Sequence, residues 1–150
     1  MFFATDAATV THGIQLAVAP VFLLTAVAAM IGSVAGRLAR IIDRARAIEA
    51  QLKPTHAQDP LQAAQRRELD QLRLRGRLVN VSIALLTLCA ICIGLTIMSL
   101  FLGETTPLPL YRAATGLFLG GVAFFLAALL CFLTETLIAT RVLHFGQAIR

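Results

Sequence analysis

Three apolar stretches, residues 13–36, 79–102 and 113–138, decide what this 150-residue chain can fold into. A helix rises about 1.5 Å per residue, so each stretch would be about 35 Å long, slightly more than the roughly 30 Å hydrocarbon core of a bilayer. Gln15, Thr25 and Ser33 are the markedly polar residues of the first stretch. Asn80 and Ser82 stand at the start of the second, and Glu135 is the single ionisable residue of the third. A buried helix of a soluble domain would be shorter. The chain is 58% hydrophobic and 14% charged, whereas soluble domains run near half apolar and a quarter charged. The excess needs lipid rather than water as its covering, and the expected fold is an all-α integral membrane protein with three transmembrane helices.

The formal net charge of +5 would suit a nucleic-acid partner, but its location argues otherwise. Ten basic residues lie between Arg37 and Arg77, interleaved with the acids Asp43, Glu49, Asp59, Glu68 and Asp70. The N-terminal tail has no base, and the 103–112 loop has one acid and one base. Basic residues collect on the cytoplasmic side of membrane proteins. This places residues 37–78 in the cytoplasm, the N-terminus outside and the C-terminus inside, with Arg141 and Arg150 in agreement. The location implied is a bacterial inner membrane. Tyr111 and Phe101 stand where an outer aromatic belt is expected. The tail MFFATDAATV has no basic start and carries Asp6, so a cleaved signal peptide is not expected.

The stretch GRLARIIDRARAIEAQL (36–52) combines arginines with apolar residues Leu38, Ile41, Ala45, Ile48 and Leu52 at steps of three and four, a heptad seam. The first membrane helix should continue along it until Pro54, which lacks an amide donor and clashes with the preceding turn. Asp59 and Pro60 offer a cap and a first-turn proline for the next helix. Leu61, Gln65, Leu69, Leu72 and Gly76 give that helix a weaker seam. The two segments are expected to pair as a cytoplasmic antiparallel helical hairpin, about residues 37–78, prolonging the first two spans. The hairpin has no aromatic residue for base stacking. Anionic lipid is therefore the expected contact, and nucleic acid is not.

In lipid, helices associate by close approach of small residues. Ala19, Ala26, Ala29, Ser33 and Gly36 form such a seam in the first span. Ser82, Cys89, Cys92, Thr96 and Ser99 do so in the second, and Gly116, Gly120, Ala123 and Ala127 in the third. Gly32–Gly36 and Gly116–Gly120 are GxxxG pairs, candidates for contacts within the chain or between copies. Pro20 is a candidate kink in the first span. Cys89 and Cys92 form a CxxC in mid-span with nothing nearby to complete a metal site, so they read as small packing residues. His12, His56 and His144 make no metal spacing, and no metal or cofactor is expected.

Glu135 is the residue that most needs a partner, since a carboxylate at membrane depth is costly unless paired or hydrated. Counting down the helix from Arg112 puts it about 35 Å deep, level with Arg37 and Arg77. A polar cluster of Glu135 with Arg37 or Arg77, with Arg40 and Asn80 nearby, is expected. It would serve as a structural ion pair or as an ion or proton site at an inner mouth; the remaining alternative is an exposed interfacial carboxylate.

APVFLL in the first span, RLARIIDRAR after it, the arginine-rich entry to the second span and the late glutamate together resemble a bacterial membrane family catalogued as domain of unknown function 2721. The resemblance covers nearly the whole chain, and Arg37, Leu38, Arg40, Ile41, Asp43, Arg44 and Arg46 carry its most specific part. It implies three helices and supplies no activity or cofactor.

No nucleophile–base pair or phosphate loop is legible, so an enzyme is not expected. The leading expectation is a homo-oligomeric scaffold or assembly protein. The alternatives are a small oligomeric ion channel or transporter, and an accessory subunit that binds a partner through the basic hairpin.

Overall fold

The computed structural model describes residues 7–51, 60–105 and 110–145 as three helices: α1 (Ala7–Gln51), α2 (Pro60–Thr105) and α3 (Tyr111–Phe145). Pro60 opens α2, where its missing amide costs nothing because the first helical amides have no intrahelical acceptor. At the start of α3 the Leu110 carbonyl accepts from the Ala114 amide at 2.9 Å. The 52–59 connection, with the expected Asp59 cap and Leu52, lies outside the described residues, as does Arg150.

α1 runs unbroken through Pro20 and through the sequence boundary at Gly36. Its 45 residues amount to about 68 Å, roughly twice a hydrocarbon core. All three helices are long and apolar enough to cross a membrane, and only 11–28% of each apolar window is buried by the rest of the chain. Phe22 (72%), Leu130 (64%) and Leu119 (62%) are among the most exposed apolar side chains. An apolar exterior of this kind is what a lipid solvent selects.

Buried positions recur every seven residues. In α1 they are Pro20, Val27, Val34, Ile41 and Ile48; in α3, Ala114, Gly121, Ala128 and Glu135. α2 has two such rows, Leu72–Val79–Leu86–Ile93 and Ser82–Cys89–Thr96, so it buries a wider face than either neighbour. A seven-residue repeat on helices of 3.6 residues per turn is the pattern of left-handed, knobs-into-holes packing.

The chain divides into two compact units, Met1–Ile31 with Leu85–Ala127, and Gly32–Ala84 with Ala128–Arg150. In the first, a Cβ added to the buried Gly121 would lie 2.9 Å from Ile93 Cδ1 and 3.3 Å from Cys92 Cβ, so α2 and α3 approach closely there. The buried hydroxyl of Thr96 donates to the Cys92 carbonyl at 2.8 Å. In the second unit, Ile41 and Ile48 of α1 and Leu69 and Leu72 of α2 are buried. Exposed ion pairs flank them, Arg44–Glu68 at 2.8 Å and Arg73–Glu49 at 3.2 Å.

The small-residue seams expected for α1 and α3 are not the ones that pack within the chain. Ala19, Ala26, Ala29, Ser33 and Gly36 are all exposed. Gly32, Gly36, Gly116 and Gly120 have nothing within 4 Å of an added Cβ. The buried row of α3 passes through Gly121, one residue and about 100° away from Gly120. The α2 seam of Ser82, Cys89 and Thr96 is buried.

Candidate functional site

Glu135 is the buried carboxylate among the described residues, with no exposed surface, and it lies in the second unit. It continues the heptad row of Ala114, Gly121 and Ala128, so the fold that buries the α3 seam also buries its charge. Two guanidiniums meet it. Arg75 of α2 donates from Nε and Nη2 to Oε1 at 3.0 and 2.9 Å. Arg37 of α1 brings Nη2 to 3.2 Å from Oε2. That second contact is an ion pair without the alignment of a hydrogen bond, so Oε2 is a buried acceptor with no donor aimed at it.

Arg37 is held by α3 in two further ways. Its Nη1 donates to Thr136 Oγ1 at 3.3 Å, and its guanidinium stands 4.8 Å from the centroid of the Phe132 ring. Phe132, Glu135 and Thr136 are three and four residues apart and so share one face of α3. The Thr136 hydroxyl donates to the Phe132 carbonyl at 3.0 Å, which leaves its oxygen free to accept from Arg37. The cluster thus ties one side chain from each helix into a single ionic group with two cations and one anion. Both arginines keep about a quarter of their side-chain surface exposed, 28% for Arg37 and 22% for Arg75.

Of the residues expected in this cluster, the structure brings together Glu135 and Arg37. Arg77 is exposed and does not take part; Arg75 stands in its place. Arg75 and Arg77 are two residues apart, and two residues turn a helix by about 200°. A signal for Arg75 was available. It lies seven residues before Ser82, on the row that continues through Cys89 and Thr96. Asn80 is exposed and lies outside the cluster. Arg40 is exposed and makes no contact with Glu135, but it lines an adjacent cleft of about 450 Å³ with Ser33, Arg37, Ile41, Arg44, Leu72 and Arg75. Cys89 is buried and Cys92 and Cys131 are half-buried, all as free thiols. Among the described residues no group of histidine, cysteine and carboxylate side chains is arranged to hold a metal ion.

Fold and site together define a helical membrane protein: three helices of spanning length, cross-linked by a carboxylate set between two guanidiniums. Residues 17–145 match the model of the family described as "Protein of unknown function (DUF2721)", and the chain belongs to that family. Neither a curated protein nor a solved structure matches it.

Proposed function

We propose that the protein is a non-enzymatic, homo-oligomeric scaffold of a bacterial inner membrane. Its N-terminus lies outside, its C-terminus is cytoplasmic, and the arms of α1 and α2 over residues 37–78 form a cytoplasmic helical hairpin. The observation that carries self-association is the position of the GxxxG pairs. Gly32 and Gly36 on α1, and Gly116 and Gly120 on α3, have nothing within 4 Å of an added Cβ, while a different row of each helix packs the chain internally. In lipid, small residues facing outward let the backbone of another helix approach closely.

The scaffold reading is favoured over a transporter by how polar groups inside the spans are used. The hydroxyls of Thr25, Ser82, Thr96, Thr115, Thr134 and Thr136 each donate to the carbonyl four residues back on their own helix. That satisfies them in an apolar solvent without a water-filled path. Glu135 is balanced by two cations rather than set beside a nucleophile. The asymmetry of basic residues supports the orientation.

Native mass in a maltoside detergent tests the proposal. A defined multimer is expected, and Gly32→Leu/Gly36→Leu or Gly116→Leu/Gly120→Leu should lower its mass while helicity is retained. A wild-type monomer overturns the reading and favours an accessory subunit. Ion flux in liposomes overturns it in favour of a channel.

A further inference from the structure

We infer that the second unit carries a discrete site for a phosphate-bearing anion, formed by Arg37, Arg40, Arg44 and Arg75. It rests on the membrane reading of the three helices and does not depend on self-association.

The side chains of these four arginines line one cleft of about 450 Å³, within the roughly 300–1,000 Å³ typical of small-molecule sites. Arg37, Arg40 and Arg44 come from successive turns of α1, and Arg75 comes from α2. Two carboxylates engage the group: Glu135 takes Arg37 and Arg75, and Glu68 takes Arg44. Four cations against two anions leave a formal excess of two positive charges.

Donor capacity is also in excess. A guanidinium has five N–H donors. The bonds of Arg44 and Arg75 each use Nε and Nη2 and leave Nη1 unspent, and Arg37 leaves Nε unspent. Arg40 is exposed and has no acceptor among the described residues. A tetrahedral oxyanion fits several guanidinium forks at once, because each fork can take two oxygens.

The position of the cleft narrows the class further. Ser33 at one end belongs to the apolar stretch that closes at Gly36, while Arg40 and Arg44 belong to the charged arm. The cleft therefore straddles the level where a bilayer changes from hydrocarbon to headgroup, which is the level of lipid phosphates. It is open on one side, as a headgroup that remains attached to its lipid requires. Ile41 and Leu72 supply its apolar walls. The same oxyanion chemistry would accept a soluble phosphate from the cytoplasmic side.

The experiment uses the full chain in maltoside micelles and compares wild type, Arg40→Gln and Arg46→Gln. Arg46 is exposed on the same arm but does not line the cleft, and neither substitution touches the Glu135 cluster. Native mass spectrometry with phosphatidylglycerol or phosphatidylcholine reads lipid adducts, and calorimetry reads inorganic phosphate. Loss of one charge-assisted contact should weaken binding about tenfold or more. If Arg40→Gln alone loses phosphatidylglycerol adducts by that factor, the site stands and its source is the lipid. If Arg40→Gln alone weakens inorganic phosphate without lipid selectivity, the site stands with a soluble ligand. If neither probe separates Arg40→Gln from wild type, or Arg46→Gln loses as much, the binding is diffuse and the site is overturned. The same spectra give the subunit count, so failure of the self-association proposal is read separately.

Discussion

Replacing Glu135 by glutamine keeps the shape of the side chain and one acceptor oxygen but removes the charge that holds two arginines. Arg75 makes two charge-assisted bonds to Oε1, at 3.0 and 2.9 Å, and these would become bonds to a neutral amide. The guanidinium keeps its charge, so each bond passes from an ion-pair bond to a charge–dipole bond and retains part of its strength; the two bonds together lose about 1–2 kcal/mol. The ion pair from Arg37 Nη2 to Oε2 would become a contact between two donors. Both arginines retain 22–28% exposure and can recover some hydration, which reduces the penalty below the roughly 3–5 kcal/mol seen when a fully buried pair is broken. The expected cost is about 2 kcal/mol. For a chain of this size that is a fall in Tm of about 4–8 °C, measured by circular dichroism in detergent. Arg75→Gln should cost a similar amount, and the double variant should cost less than the sum, because each single change removes the same contact. Arg77→Gln is the control and should leave Tm unchanged. A Glu135→Gln protein melting within 1 °C or so of wild type, or an Arg77→Gln loss equal to that of Arg75→Gln, would refute the ionic cross-link. Replacing the whole triad, as Arg37→Met/Arg75→Met/Glu135→Leu, should be less damaging than Glu135→Gln, since no charge is then left unbalanced.

Three further outcomes are expected. Gly121→Leu should lower stability by about 1–3 kcal/mol through overpacking against Ile93 and Cys92, whereas Gly120→Leu should leave the melting of the isolated chain unchanged; thermal melts of the pair check this. Glu68→Gln removes a pair whose side chains are 62% and 43% exposed, so solvent screening should hold the loss below about 0.5 kcal/mol, and added salt should erase it. An alkaline phosphatase fused near residue 56 should be inactive and a fluorescent protein at the same place bright. The reverse pattern would invert the proposed orientation.

Part of this architecture can be read without coordinates, because length and composition report position along a helix axis. Three spanning stretches, the continuation of α1 past Gly36, the α2 seam through Ser82, Cys89 and Thr96, and the need of Glu135 for a cationic partner all follow from runs, breaks and charge. At about 1.5 Å per residue, an error of two positions shifts a side chain by only about 3 Å in depth. Azimuth is far less forgiving, since each residue turns the helix by about 100°. Choosing Arg75 over Arg77, or Gly121 over Gly120, requires knowing which face each helix turns toward its neighbours. That choice belongs to the tertiary structure: three helices must satisfy one seven-residue packing repeat together, and a single apolar stretch in lipid has no polar face to declare its phase. That Arg37, Arg40, Arg44 and Arg75 line one cleft depends on the same rotation, which only the packed bundle decides.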